Sequence, residues 1–464
     1  MKKLSFNLPL ELVEMLAKFG EKAALLETAG MEPRTQDHLE HVKTELGTEE
    51  LLGLGLWIDG VPYNYDRSES LETVAMNLPG LTGEMKNLRL PITAIPKNCV
   101  ATGETMHDIC EIILWSLRHL ALGVHPSCRH DGKEWGASDR DRAALSGTPI
   151  RLKAALVEVR GDWLMMKEVF HLPGWKEKAG CCWLCKATPA TFRNAASTAS
   201  WRTDRLSHWN LLERILRAGH DLNPLMSAPG IRSHCFKVDW LHCMDQGVAA
   251  DFIGNLFWML LPKMPGRNQK RRIKGLHMEI KKFYAEKGIE SKLPTLTKGM
   301  IKKQNAAPKI RGKAAEVRAL VPFARQAAEQ FLSSDDPVEN TVIQMSKHLD
   351  NLYGTLSSST MFRQDLMEEN SRRFCVLYSG LEETHRDKKG PVWRIKPKFH
   401  LMQELCEMTE GACPALSWTY RDEDFGGSAA NMARRKGGWK TAFGISTNFL
   451  VRWSAKNDVP VIGL

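Results

Sequence analysis

Two kinds of side chain in this 464-residue chain are spaced for chemistry: carboxylates closing apolar segments, and a Cys-x-x-Cys pair. In LGLGLWIDGVPYN (52–64), Leu52, Leu54, Leu56 and Ile58 alternate with Gly53, Gly55 and Trp57, a period of two that predicts a strand. Asp59 closes it, and Gly60, Pro62 and Asn64 predict a turn. IRLKAALVEVRGDW (150–163) predicts a second such strand, ending in Gly161 and Asp162. Carboxylates are hard oxygen donors suited to Mg2+ or Mn2+. Cys182 and Cys185, in CWLC, have the spacing with which two thiolates grip one Zn2+ from a tight turn.

The elements that must position these groups are legible around them. ESLETVAMNLPG (69–80) and NLRLPITAIPKN (87–98) predict two further strands, and TGETMHDICEIILWSLRHLAL (102–122) predicts a helix stopped by Gly123. The order is strand, strand, strand, helix, strand. With the first and fourth strands adjacent in a mixed sheet, Asp59 and Asp162 lie side by side at one edge. That is the ribonuclease-H-like arrangement, in which two such acids and a third from a late helix hold two divalent ions for in-line attack on a phosphodiester. From about 200 to 400 the period turns helical. The expected fold is α/β (α+β), a ribonuclease-H-like mixed sheet core interrupted by a large all-helical insertion. Its parts are a helical N-terminal segment (1–48), the first part of the core (49–190), the insertion (191–400) and the returning core (401–464).

Composition narrows the partners. A hydrophobic content of 43%, 25% charged residues and 14 Trp fit a folded, packed chain. The net charge of +10 favours an anionic partner, most simply DNA. Basic residues concentrate in 263–313, where Arg271, Arg272 and Lys274 of GRNQKRRIKG are candidates for phosphate contacts and for a nuclear localisation cluster. The N-terminus has no secretory apolar core, and the longest apolar run, FIGNLFWMLL (252–261), is too short to span a membrane. The eleven Cys are scattered apart from 181–185, which points to a reducing intracellular compartment with free or metal-bound thiols. Neither a membrane nor a small-molecule cofactor is expected.

The spacing of several blocks resembles the CACTA (En/Spm-like) transposases. DWLMMKEVFHLPGWKEKAGCCWLC (162–185) is similar to that family's second signature, with Asp162, Gly174-Trp175 and Cys182-x-x-Cys185. LWIDGVPYN looks like the first signature, and VDWLHCMDQGVAADFIGNL (238–256) like an Asp-x-x-His block carrying Asp239 and His242. KPKFHLMQEL (396–405) and WTYRDEDFGG (418–427) look like the closing segments, so the resemblance runs in order over 50–430. It implies a Mg2+- or Mn2+-binding triad of Asp59, Asp162 and Glu423. Asp422 and Asp424 are alternatives for the third acid, and Asp239 competes for the second.

The same resemblance implies a Zn2+ held by Cys182, Cys185 and His400. The second histidine expected four residues on is Glu404 here, which leaves Glu404, His242, Cys181 or water as the fourth ligand. Arg434, Arg435 and Lys436, directly after the third acid, would hold the DNA backbone beside the metals. The implied protein is a nuclear, homo-oligomeric transposase that hydrolyses phosphodiesters and transfers strands at transposon ends. The alternative is a catalytically decayed or domesticated derivative acting as a nucleic-acid-binding or interaction protein. Two features speak for it: Glu404 in place of histidine, and no zinc finger or other DNA-binding module ahead of the core. A third reading, a zinc-stabilised structural protein, expects the acids to lie far apart.

Overall fold

The alternating segment at 52–64 forms β1 (Leu52–Pro62), which runs antiparallel to β2 (Ser70–Asn77) and parallel to β4 (Ala154–Arg160). With β3 (Leu90–Pro96) antiparallel to β2, the four strands form one mixed sheet of order β3-β2-β1-β4. The crossover from β3 to β4 is made by the helix Thr105–Leu122, which packs on β4. It ends at Gly123, whose φ of 78° closes the last turn at a conformation glycine adopts without strain. This computed structural model describes residues 3–64, 68–356, 361–386, 390–408, 410–434 and 441–459.

Asp59 does not end β1. The strand continues through Pro62, with Asp59 opposite Thr73 and Gly60 opposite Glu72. Pairing with β4 stops at Trp57, opposite Arg160, so among the described residues no strand pairs with that edge of β1 beyond Trp57. An edge position tolerates a proline, which has no N–H to donate. Gly60 and Pro62 therefore extend the strand rather than turn it.

The chain divides into two compact units: Met1–Gly174, Leu206–Lys237 and Leu416–Leu464 form the first, Trp175–Arg205 and Val238–Ala415 the second. The N-terminal segment belongs with the sheet because it lines the β3 edge: Asn7 N–H donates to Ile92 O (2.8 Å) and the Thr93 hydroxyl to Ser5 O (2.7 Å). Residues 206–237 return to cover the β4 edge, where Leu156 N–H donates to Pro229 O and Lys237 N–H to Val159 O. Both edges are thus shielded from pairing with other chains.

Within the first unit, the helices Tyr420–Arg434 and Ala442–Lys456 pack on the sheet around Tyr63, Leu71, Ala94, Ala430 and Phe449. Gly426 marks the crossing of the former over β1: a Cβ there would lie 3.0 Å from both Trp57 and Val61. Charge fixes this helix as well as apolar contact. Asp422, fully buried, bonds the Arg89 guanidinium and lies 3.7 Å from that of Arg160, which is itself paired with Glu158 at 2.6 Å. The second unit is helical. Its helices Pro337–Gly354, Gln364–His385 and Lys398–Glu407 pack in succession, with Phe252, Phe374, Tyr378, Trp393 and Phe399 in mutual ring contact.

Removing one member of a buried charge network strands the others in a medium that cannot solvate them. Asp422→Ala is therefore expected to lower the stability of the first unit by about 3–5 kcal/mol, read as a shift in its urea midpoint.

Candidate metal centre

In the second unit, Cys182, Cys185, His400 and Glu404, all buried, each bring one ligand atom within 4.8 Å of the others. The two thiols come from a tight loop. Cys181 N–H donates to Ala187 O at 2.9 Å to close it, and Leu184 N–H points at Cys182 Sγ at 3.3 Å. The other two donors share a face of the helix Lys398–Glu407 because they are four residues apart. That helix is anchored through Glu407, which accepts from Arg202 (2.6 Å), Ser371 (2.8 Å) and Arg372 (3.1 Å).

The separations suit one small tetrahedral ion. Cys185 Sγ lies 3.2 Å from His400 Nε2, Cys182 Sγ 3.7 Å from Glu404 Oε1, and His400 Nε2 3.5 Å from Glu404 Oε1. Ligands about 2.0–2.3 Å from a tetrahedral zinc stand roughly 3.3–3.7 Å apart. The residues therefore form a group able to hold a metal ion. Buried His400 Nδ1 has no hydrogen-bond partner among the described residues, and Trp201 meets the same imidazole edge-on at 4.6 Å.

The four donors already share protons unevenly. Burial alone would raise the Cys182 thiol, but the hydrogen bond from Cys185 and the neighbouring His400 outweigh it and hold it down to about 6. Cys185, which supplies that bond, is pushed far up by it and by burial. Burial would depress His400, yet the Cys182 charge beside it, with Glu404, raises it to about 9. Glu404 is held down to about 2 despite its burial, by His400 and by Arg205, whose guanidinium grips both carboxylate oxygens at 3.0 and 2.8 Å.

Glu404 is thus the fourth member of the group. His242 donates from Nδ1 to Asp239 (2.6 Å), and the Cys181 thiol is directed at Ala187 O (3.6 Å); neither belongs to the cluster. Arg205, on which the charge balance depends, carried no sequence signal, because its pairing with Glu404 spans 199 residues.

The carboxylates expected to form a triad all lie in the first unit. Asp59 sits between Trp57 and Val61, on the face of β1 that the helix Tyr420–Arg434 covers. Glu423, half-buried, is one turn before Gly426 on that helix; Asp422 is consumed by the arginines and Asp424 is exposed. Gly161 closes against β1, a Cβ on it lying 2.9 Å from Ile58 O, which brings Asp162 to the open end of β1. Asp162 also caps the helix Trp163–Phe170, accepting Met165 N–H at 2.6 Å. Lys97 bonds Glu72 at 3.2 Å, and Glu72, Glu168 and Asp162 together raise its ammonium above the usual value. Among the described residues Asp59, Asp162 and Glu423 do not form a group with ligand atoms within 4.8 Å. Asp239 lies in the second unit and caps its helix, accepting His242 N–H at 2.9 Å.

Of the basic residues, Arg271 and Lys274 are exposed on the helix Gln269–Lys287, and Arg272 Nε bonds Gly266 O. Arg434 ties its helix to the end of β1 by donating to Tyr63 O at 2.9 Å. Arg435 and Lys436 lie outside the described residues. No helix among the described residues is long and apolar enough to cross a membrane. No protein-family model and no curated protein matches the chain.

Metal binding must displace the protons held by Cys185 and His400, while Cys182 and Glu404 are already charged near neutral pH. Calorimetry in buffers of differing ionisation enthalpy is expected to show about two protons released per metal ion. Between Cys182 at about 6 and His400 at about 9, the metal-free form is favoured as pH falls, so affinity drops about a hundredfold per pH unit. Cys185→Ser should abolish the bound metal in elemental analysis.

Proposed function

We propose that the first unit is a ribonuclease-H-like core of transposase type acting on nucleic-acid phosphodiesters, and that the second is a helical insertion stapled by Zn2+. One observation carries the reading. Asp59 on β1, Asp162 directly after β4 and Glu423 on the helix crossing β1 come from three elements that meet at the same open strand end. The strand order β3-β2-β1-β4, with β4 parallel to β1 after a helical crossover, supports it as well.

The chain's own residues divide the work. Asp59, Asp162 and Glu423 would hold Mg2+ or Mn2+, ions that supply Lewis acidity for in-line attack when bound. Asp59 is rigid because it lies inside a paired strand, and Glu423 because its neighbour Asp422 locks the helix to Arg89. The Lys97 ammonium, beside Glu72 and within the field of Asp162, is available to orient a phosphate. Zinc fits the second unit on the chemistry of its donors: two thiols, an imidazole and a carboxylate, with Arg205 balancing the excess charge.

A second reading, a non-catalytic nucleic-acid-binding derivative, is favoured by the helix cap that occupies one Asp162 oxygen. The two readings separate in one experiment. Under the first, the wild-type chain binds Mn2+ and nicks or joins DNA, and Asp59→Asn and Glu423→Gln each lower the rate by about a hundredfold or more with unchanged folding. A wild-type chain whose DNA binding needs no divalent ion, and whose Mn2+ uptake does not respond to Asp59→Asn, would establish the second.

A further inference from the structure

A second cluster of metal-type donors lies in the first unit, in residues that no motif singled out. His38, His234 and Cys235 each bring one ligand atom within 4.8 Å of the others. His38 is carried by the helix Pro33–Glu45, and the other two by the turn Ser233–Cys235, where the chain returns along the β4 edge. The rings of His38 and His234 meet edge-on at 4.5 Å. His38 and Cys235 are buried, and His234 Nε2 is buried with no hydrogen-bond partner among the described residues. A buried imidazole nitrogen left without a partner is costly unless something occupies its lone pair.

The surroundings suit a ligand role. His38 Nε2 lies 2.6 Å from Gly230 O, so that ring N–H is donated to a main-chain carbonyl and the other ring nitrogen keeps its lone pair. Metal-ligating imidazoles are held in just this way. Burial pushes the Cys235 thiol up to about 11, and the thiol is directed at Gly230 O at 3.5 Å; Arg232 N–H, pointing at Cys235 Sγ at 3.3 Å, works against that rise. Burial, reinforced by the Arg34, Lys237 and Arg232 cations, keeps the His234 imidazole neutral. The charged groups facing the cluster are those three cations, with Glu45 near His38 and Glu158 near Cys235.

We infer that His38, His234 and Cys235 form a binding site for a thiophilic monovalent cation, Cu+, separate from the Cys182 centre. The donor set, one soft thiolate and two borderline imidazoles with no carboxylate, favours Cu+ over hard ions. One thiolate neutralises one Cu+, whereas a divalent ion would leave one net positive charge on the ligand set, since Glu45 and Glu32 are already paired with Arg232 and Lys237. Binding forms a Cu–S bond as the Cys235 S–H proton leaves to solvent, and copper stays Cu+ throughout. Bound there, the ion would tie the returning segment to the helix Pro33–Glu45, across the β4 edge.

The test uses the full chain, reduced, equilibrated with Zn2+ and offered Cu+ as its bicinchoninate complex without oxygen. The wild-type chain is expected to withdraw about one equivalent more Cu+ than either Cys235→Ser or His234→Gln. Its copper X-ray absorption, at one equivalent, should then show a shell of two nitrogens and one sulfur. His234 is less buried than Cys235, which makes the Gln variant the one most able to fold, and circular dichroism checks both. Equal copper uptake by folded variants, loss of that equivalent in Cys185→Ser instead, or a second Zn2+ that vanishes in Cys235→Ser would each overturn the assignment.

Discussion

Burying Arg89 and Arg160 at the rim of the sheet creates a charge that only a carboxylate inside the same unit can balance. Asp422 meets that demand, and Glu158 shares it. Because Asp422 is on the helix Tyr420–Arg434, the ion pairs set the rotation of that helix about its axis. The close approach at Gly426 sets its height over β1. Glu423 and Asp59 then take positions that neither could choose alone. A buried network of this kind contributes little net stability over an apolar core of equal volume, but it is intolerant of alternative arrangements. It specifies where the helix lies more than how strongly it is held.

The sheet supplies the complementary asymmetry. β4 pairs with β1 only as far as Trp57, while β2 accompanies β1 to Pro62. Among the described residues no strand pairs with that flank of β1 beyond Trp57, and the chain leaving β4 turns past it at Gly161 and Asp162. A carboxylate on a strand that is paired on one side and open on the other is both fixed and reachable. The proposed metal-assisted phosphodiester chemistry would require that combination of its ligands.

In the second unit the same electrostatic logic works on a smaller scale. Two thiolates and a carboxylate around a divalent ion would leave one excess negative charge, which Arg205, gripping both oxygens of Glu404, would offset. A histidine at position 404 would need no such partner. Glu404 and Arg205 thus act as a pair, with Arg205 and His400 together holding the Glu404 carboxyl down to about 2.

The sequence by itself determined the period-two strands, the crossover helix with its Gly123 stop, and the Cys182-x-x-Cys185 grip, because each depends on residues near one another in the chain. It also put His400 with the thiols, through a spacing that resembles a known pattern. It misplaced the end of β1, since whether Gly60 and Pro62 turn or extend depends on which edge is paired, and that is a property of the sheet. Only the tertiary structure took Asp422 out of the choice among the acids of RDED, because its pairing with Arg89 and Arg160 reaches hundreds of residues upstream. It alone chose Glu404 over His242 and Cys181, and brought His38 beside His234 and Cys235. Local periodicity records how a segment lies against its immediate surroundings. Charge balance and ligand convergence are settled between segments, where no spacing in the sequence records them.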